Sequence, residues 1–120
     1  MNKGDKVLRN ALPTGTHSGT SIRMNGLMLD VANRKVVTKD ETFQLTPMEC
    51  RLLAVFMRNA GEVLSRSYLM QEVWRTSYID DTRTLEVHVC WLRKKIESDP
   101  RRPRHLRTIR GRGYQFTLPN

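Results

Sequence analysis

The chain has 120 residues, 38% of them hydrophobic and 28% charged, which is apolar material for a single compact core and argues against both wholesale disorder and a multidomain enzyme. No apolar run approaches the roughly 18 residues a membrane helix needs. Its 21 Lys and Arg against 12 Asp and Glu give a net charge of +9, and such a surface attracts polyanions through a salt-sensitive, sequence-blind force.

In chain order, residues 1–20 are polar and carry Gly4, Pro13, Gly15 and Gly19 with little periodicity. They read as a flexible linker or tail, which suggests something attached before it. MNKGDKVLRN has no apolar h-region, and Cys50 and Cys90 are too few for a disulfide scaffold and lack metal-ligand spacing. The expectation is a reduced, cytoplasmic protein. From Ser21 to Leu45 the pattern is strand-like, with Ile22 and Met24, Leu27 and Leu29, Val36 and Val37, and Phe43 and Leu45 as its apolar positions. Turns are expected at Asn25-Gly26, Asn33-Arg34 and Lys39-Asp40, giving an antiparallel sheet of three or four short strands.

At Leu45 the period changes. Thr46-Pro47-Met48-Glu49 predicts a helix start: Thr46 as N-cap, Pro47 in the first turn, Glu49 closing a capping box. Leu45 and Cys50 are placed as a hydrophobic staple, and Cys50 reads as a small buried apolar residue rather than a reactive thiol. Met48, Leu52 and Val55/Phe56 continue at helical spacing until Asn59-Ala60-Gly61 stops the helix. Val63-Leu64 reads as a brief strand, and Ser65 caps a second helix with inner residues Leu69 and Val73, ending at Trp74. Residues 75–81 have no period and read as a loop. A third helix is expected from about Thr82 to Ser98, stopped by Asp99-Pro100, with Leu85, Val89, Leu92 and Ile96 on one stripe. The last run, HLRTIRGRGYQFTL, reads as a β-hairpin with Gly111-Arg112-Gly113 supplying the positive φ of a tight turn and Arg110 and Arg112 near its tip.

Charge follows this order. Residues 82–120 hold 10 basic and 3 acidic residues, while residues 1–81 hold 11 and 9. The cationic excess therefore lies on the third helix and hairpin, which favours a polyanion partner. A helix pair followed by a basic hairpin is the winged form of a helix-turn-helix, whose recognition helix enters the DNA major groove. On the third helix Arg83, Val87, Cys90, Trp91 and Lys94 point away from the apolar stripe, with Thr84 at the edge. Val87 and Trp91 make an outward apolar pair at i, i+4. Such groups can meet thymine methyls and sugar edges; the bland reading folds Trp91 onto the wing or loop as peripheral core.

Residues 21–118 resemble the C-terminal effector domain of the OmpR/PhoB family of two-component response regulators, through LTPMECRLL, GEVLSRSYLMQEVW, DTRTLEVHVCWLRKKIESDP and RTIRGRGYQF. The resemblance implies an α+β winged helix-turn-helix with an N-terminal antiparallel sheet, three helices and a C-terminal hairpin wing. It implies sequence-specific binding of promoter DNA by tandem protomers on direct repeats, monomers in isolation, and control through an N-terminal receiver domain. Matched onto the family pattern, Arg83, Thr84, Val87, His88 and Arg93 fall on or beside the recognition helix. Thr108 and Arg110 fall at wing positions that contact DNA, and Trp74 near the backbone. Trp91, Lys94 and Arg112 complete the expected DNA-binding set. Many relatives carry two basic residues where this chain has Cys90-Trp91, so more of the base preference falls on Arg83, Val87, Trp91 and Lys94. Loop 75–81 matches a segment that in relatives can touch RNA polymerase, making Ser77, Tyr78, Ile79 and Asp80 the candidates for that contact.

Other functions fit less well. His17, His88 and His105 are not spaced as metal ligands, and Gly111-Arg112-Gly113 joins two strands, whereas a nucleotide loop leads into a helix. No catalytic residue, metal or cofactor is expected. An RNA-binding module would need exposed sheet aromatics, but Phe43 and Tyr114 both fit core positions. A protein-interaction module would act through the 75–81 loop.

Overall fold

A computed structural model describes residues 21–39, 41–76 and 81–117. The expected linker and the candidate polymerase-contact residues Ser77, Tyr78, Ile79 and Asp80 lie outside the described residues. Strands β1 (Ser21–Met24), β2 (Leu27–Asp30), β3 (Lys35–Val37) and β4 (Thr42–Gln44) form an antiparallel four-stranded sheet in chain order. Asn25 (φ 53°) and Gly26 (φ 78°) make the two-residue β1–β2 turn, the positive-φ pair that suits the twist of a hairpin. The register aligns Ile22, Leu29, Val36 and Phe43 in one row across the sheet. Ile22, Leu29 and Val36 are buried there, and half-buried Phe43 packs against them. The β3–β4 turn is bridged by the Thr38 N–H donating to the Glu41 carbonyl at 2.7 Å.

Helix α1 (Pro47–Arg58) starts as its capping residues dictate. The Glu49 N–H donates to Thr46 Oγ1 at 3.2 Å, and the Thr46 N–H donates back to Glu49 Oε1 at 2.8 Å. Leu45 and Cys50, the staple pair, are both buried. Strand β5 (Val63–Leu64) leads into α2 (Arg66–Trp74), where Ser65 Oγ accepts from the Tyr68 N–H at 3.1 Å. Helix α3 (Arg83–Ile96) follows, then the wing strands β6 (Leu106–Ile109) and β7 (Gly113–Phe116). Strand β7 lies between β5 and β6 in a second antiparallel sheet. Helix α1 is central, packing on α2, α3 and both sheets. Leu52, Leu53, Phe56, Leu69, Val73, Leu85, Leu92, Leu106 and Phe116 fill the space between them; each side chain so removed from water contributes roughly 2 kcal/mol.

Two local expectations need correction. Helix α3 is shorter than the 82–98 expected. Thr82 makes no side-chain cap, and Arg83 is instead served by Asp81, whose Oδ1 accepts its N–H at 3.0 Å. At the other end Glu97 has already turned extended (φ −96°, ψ 140°). Its buried carboxylate accepts the N–H groups of Arg104, His105 and Leu106 at 2.8–3.1 Å, so the helix stops before Asp99-Pro100 comes into play. Gly113 is not part of the hairpin turn. That turn closes with the Arg112 N–H on the Ile109 carbonyl at 2.9 Å, and Gly111 (φ 75°) takes its positive-φ position. Gly113 opens β7 at φ 143°, so close to β5 that a Cβ there would sit 2.0 Å from the Leu64 carbonyl oxygen.

Candidate nucleic-acid interface

The two faces of α3 are chemically distinct. Leu85, Val89, Leu92 and Ile96 are buried. Arg83, Thr84, Val87, Cys90, Trp91 and Lys94 are exposed. Val87 and Trp91 retain 43% and 42% of their accessible surface, although each carries an apolar group that water disfavours. Trp91 lies against a residue of its own helix. Its ring lies 4.9 Å from that of His88, which in turn meets Trp74 edge-on at 5.1 Å. The His88 Nδ1–H donates to the Thr84 carbonyl at 2.7 Å; a carbonyl only accepts, so that nitrogen carries the proton. His88 is thus a half-buried spacer between two tryptophans rather than a free surface imidazole, and Trp74, at the end of α2, props the row from behind.

Arg83 is held at the start of the helix. Its guanidinium donates to both oxygens of Asp81, the shortest contact being 2.7 Å, and these bonds hold the Asp81 carboxyl down to about 2. Both groups are exposed, so the pair orients Arg83 more than it stabilises the fold. Arg93 faces differently from the other predicted contacts. Its Nε donates to the Leu106 carbonyl at 3.0 Å and its Nη2 to Thr108 Oγ1 at 2.8 Å, with Tyr114 under the guanidinium at 5.9 Å. Burial pulls its pKa down, yet a guanidinium keeps its charge. Arg93 and Thr108 are therefore brought together with each other, fastening the helix to the wing.

Lys95 makes the other fastening, on the opposite flank. Its ammonium donates to Glu49 Oε1 at 2.9 Å, Glu49 Oε2 at 3.0 Å and the Gln44 carbonyl at 3.3 Å. Burial pushes the Glu49 carboxyl up, but the bonds from Lys95 and from the Thr46 backbone outweigh it and leave the group below its ordinary value. Sequence reasoning missed Asp81, Lys95 and Glu97 as positioning residues. The capping box of Glu49 is legible from adjacent residues, but nothing local pairs it with a lysine 46 residues away. On the wing Arg110 and Arg112 are exposed at the turn. Cys90 is exposed and Cys50 buried, both as free thiols, with burial pushing the Cys50 thiol up and away from reactivity. The sheet aromatics Phe43, Tyr114 and Phe116 all pack on the core, so the stacking platform of a single-stranded RNA reader is not built among the described residues.

An amphipathic helix with a partly apolar outer face, locked to a basic hairpin, is the layout of a winged helix-turn-helix domain. The family model described as "Transcriptional regulatory protein, C terminal" matches residues 40–116, and the chain belongs to that family. It is 38% identical over 107 residues to the KDP operon transcriptional regulatory protein KdpE of Escherichia coli, covering 85% of this chain and 48% of that one. It is 37% identical over 110 residues to the alkaline phosphatase synthesis transcriptional regulatory protein SphR of Synechococcus elongatus, covering 92% and 43%. The chain thus spans less than half the length of these curated relatives. Among solved structures, the Klebsiella pneumoniae RstA DNA-binding domain in complex with the RstA box superposes with a TM-score of 0.72 at 27% identity, over 81% of this chain and 96% of that one. The Thermotoga maritima response regulator DrrB, an OmpR/PhoB homologue, superposes at 0.71 with 32% identity, over 82% and 44%.

Proposed function

We propose that this domain binds double-stranded promoter DNA sequence-specifically, as the effector domain of a two-component transcriptional regulator. Helix α3 enters the major groove and the wing lies on the adjacent groove or backbone. The observation that carries the reading is the exposed Val87–Trp91 pair between the cationic ends Arg83 and Lys94, on a helix whose other face is wholly buried. Arg83, Val87, Trp91 and Lys94 read bases. Thr84, His88, Arg93 and Trp74 support or flank that face, and Thr108, Arg110 and Arg112 hold the backbone. In the full-length protein a receiver domain precedes this one, and cytoplasmic protomers, single when free, pair head-to-tail on direct repeats. The segment Ser77, Tyr78, Ile79 and Asp80 is offered to RNA polymerase.

Selection of bound sequences from a random duplex library tests this reading. Winners sharing a repeated half-site support it, and no enrichment overturns it. Replacing Trp91 by Ala is expected to weaken binding and alter the selected half-site with the thermal melt unchanged. Loss of folding in that variant would make Trp91 a core residue.

A further inference from the structure

A basic concavity opens where α3 ends and the wing begins. It is lined by Arg93, Arg101, Arg102, Arg107 and Thr108, of which Arg101, Arg102 and Arg107 are exposed.

The backbone beneath these arginines is well constrained. Buried Glu97 directs both carboxylate oxygens to the N–H groups of Arg104, His105 and Leu106. Asp99 accepts the Arg101 N–H at 3.0 Å, and its carbonyl accepts the Arg102 N–H at 2.9 Å. Pro100 and Pro103 form the walls, and their rings fix φ near −65°. The neighbouring acids are thus engaged chiefly with backbone amides rather than with guanidinium groups. Among the described residues the ion pair here is Arg101 to Asp99, 3.9 Å long with the arginine side chain 94% exposed, which in water is worth little. The result is a rigid notch of largely uncancelled positive charge.

The chemistry of the notch selects its occupant. Planar guanidinium forks match paired phosphate oxygens. The notch is open and walled by solvent-facing side chains, so it suits a charged polymer passing across it better than an enclosed small molecule. It also shares Arg93 and Thr108 with the helix–wing junction, which makes it continuous with the proposed DNA face. We infer that this notch seats a phosphate of the DNA backbone, with Arg107 as the central contact and Arg101 and Arg102 beside it. It acts as a sequence-blind clamp outside the base-reading surface. The inference rests on the duplex-DNA reading above.

Salt titrations of duplex binding test it, with a selected site and a scrambled duplex as probes. The proteins compared are wild type, Arg107→Ala, Arg107→Lys, the double variant Arg101→Ala/Arg102→Ala, and Arg58→Ala. Arg58 lines a different concavity, with Arg34 and Val55. Each lost phosphate contact flattens the slope of log affinity against log salt by about 0.9. Arg107→Ala is expected to show that flattening on both probes, with the preference for the selected site unchanged. The double variant flattens the slope likewise, whereas Arg107→Lys and Arg58→Ala keep the wild-type slope. An unaltered slope in Arg107→Ala overturns the inference. So does equal flattening in Arg58→Ala, which would mean diffuse net charge, or a changed site preference in Arg107→Ala, which would mean a base contact. If wild type binds neither duplex, the DNA reading itself fails, and this inference with it.

Discussion

Glu49 does two things with one carboxylate: it closes the cap of α1 and receives Lys95 from α3. Its folded pKa is depressed in spite of burial. The group therefore contributes stability above the ordinary carboxylate range, near 4.3, and that contribution is lost as pH falls through the lower folded value. Glu49→Gln is expected to cost roughly 2 kcal/mol at neutral pH, because the Lys95 ammonium is left with a weaker acceptor at a buried position. The difference from wild type shrinks in acid. Urea denaturation at neutral pH and below pH ~4 checks both parts. Asp81 carries the same sign of shift, to about 2. A carboxyl-detected NMR titration is expected to show it ionised throughout mild acid. A midpoint near the ordinary value of about 4 would mean that Arg83 is not held by Asp81 in solution.

At the scale of elements, the two wing glycines have different duties that their spacing in the sequence does not separate. Gly111 meets only the demand of a positive φ, with open space where a Cβ would stand. Gly113 also lets β7 approach β5, and a Cβ there meets the backbone of Leu64 and Ser65. Gly111→Ala is expected to cost about 1 kcal/mol through backbone strain. Gly113→Ala should cost about 3 kcal/mol or more, since backbone cannot yield as a side chain does. Thermal melts of the two variants give the comparison, and equal losses would show that the β5–β7 approach is not tight. The hairpin itself was legible, because two alternating runs flanked a glycine-rich turn. The reason for Gly113 was not, because its neighbour is Leu64 and no local pattern points there. The end of α3 teaches the same lesson. Asp99-Pro100 is a sound local stop signal, but Glu97 leaves the helix first to serve amides of the incoming wing.

For the whole molecule, the cationic excess of residues 82–120 stands on α3, the following loop and the wing, while the N-terminal sheet and first two helices are nearly balanced. Duplex binding is accordingly expected to weaken steeply with salt, at about −0.9 in log–log slope per phosphate contacted; a slope near zero would count against a DNA partner. Element order, the caps at Thr46 and Ser65 and the outward face of α3 could be read from the residues alone. Periodicity and capping act within a turn or two of chain, where sequence distance and spatial distance agree. The joining of Glu49 to Lys95, Arg93 to Thr108 and Glu97 to the wing amides was decided only by the tertiary structure. Those bonds link groups that the chain separates and packing brings together, and hydrogen bonds form over ångströms in space regardless of sequence separation.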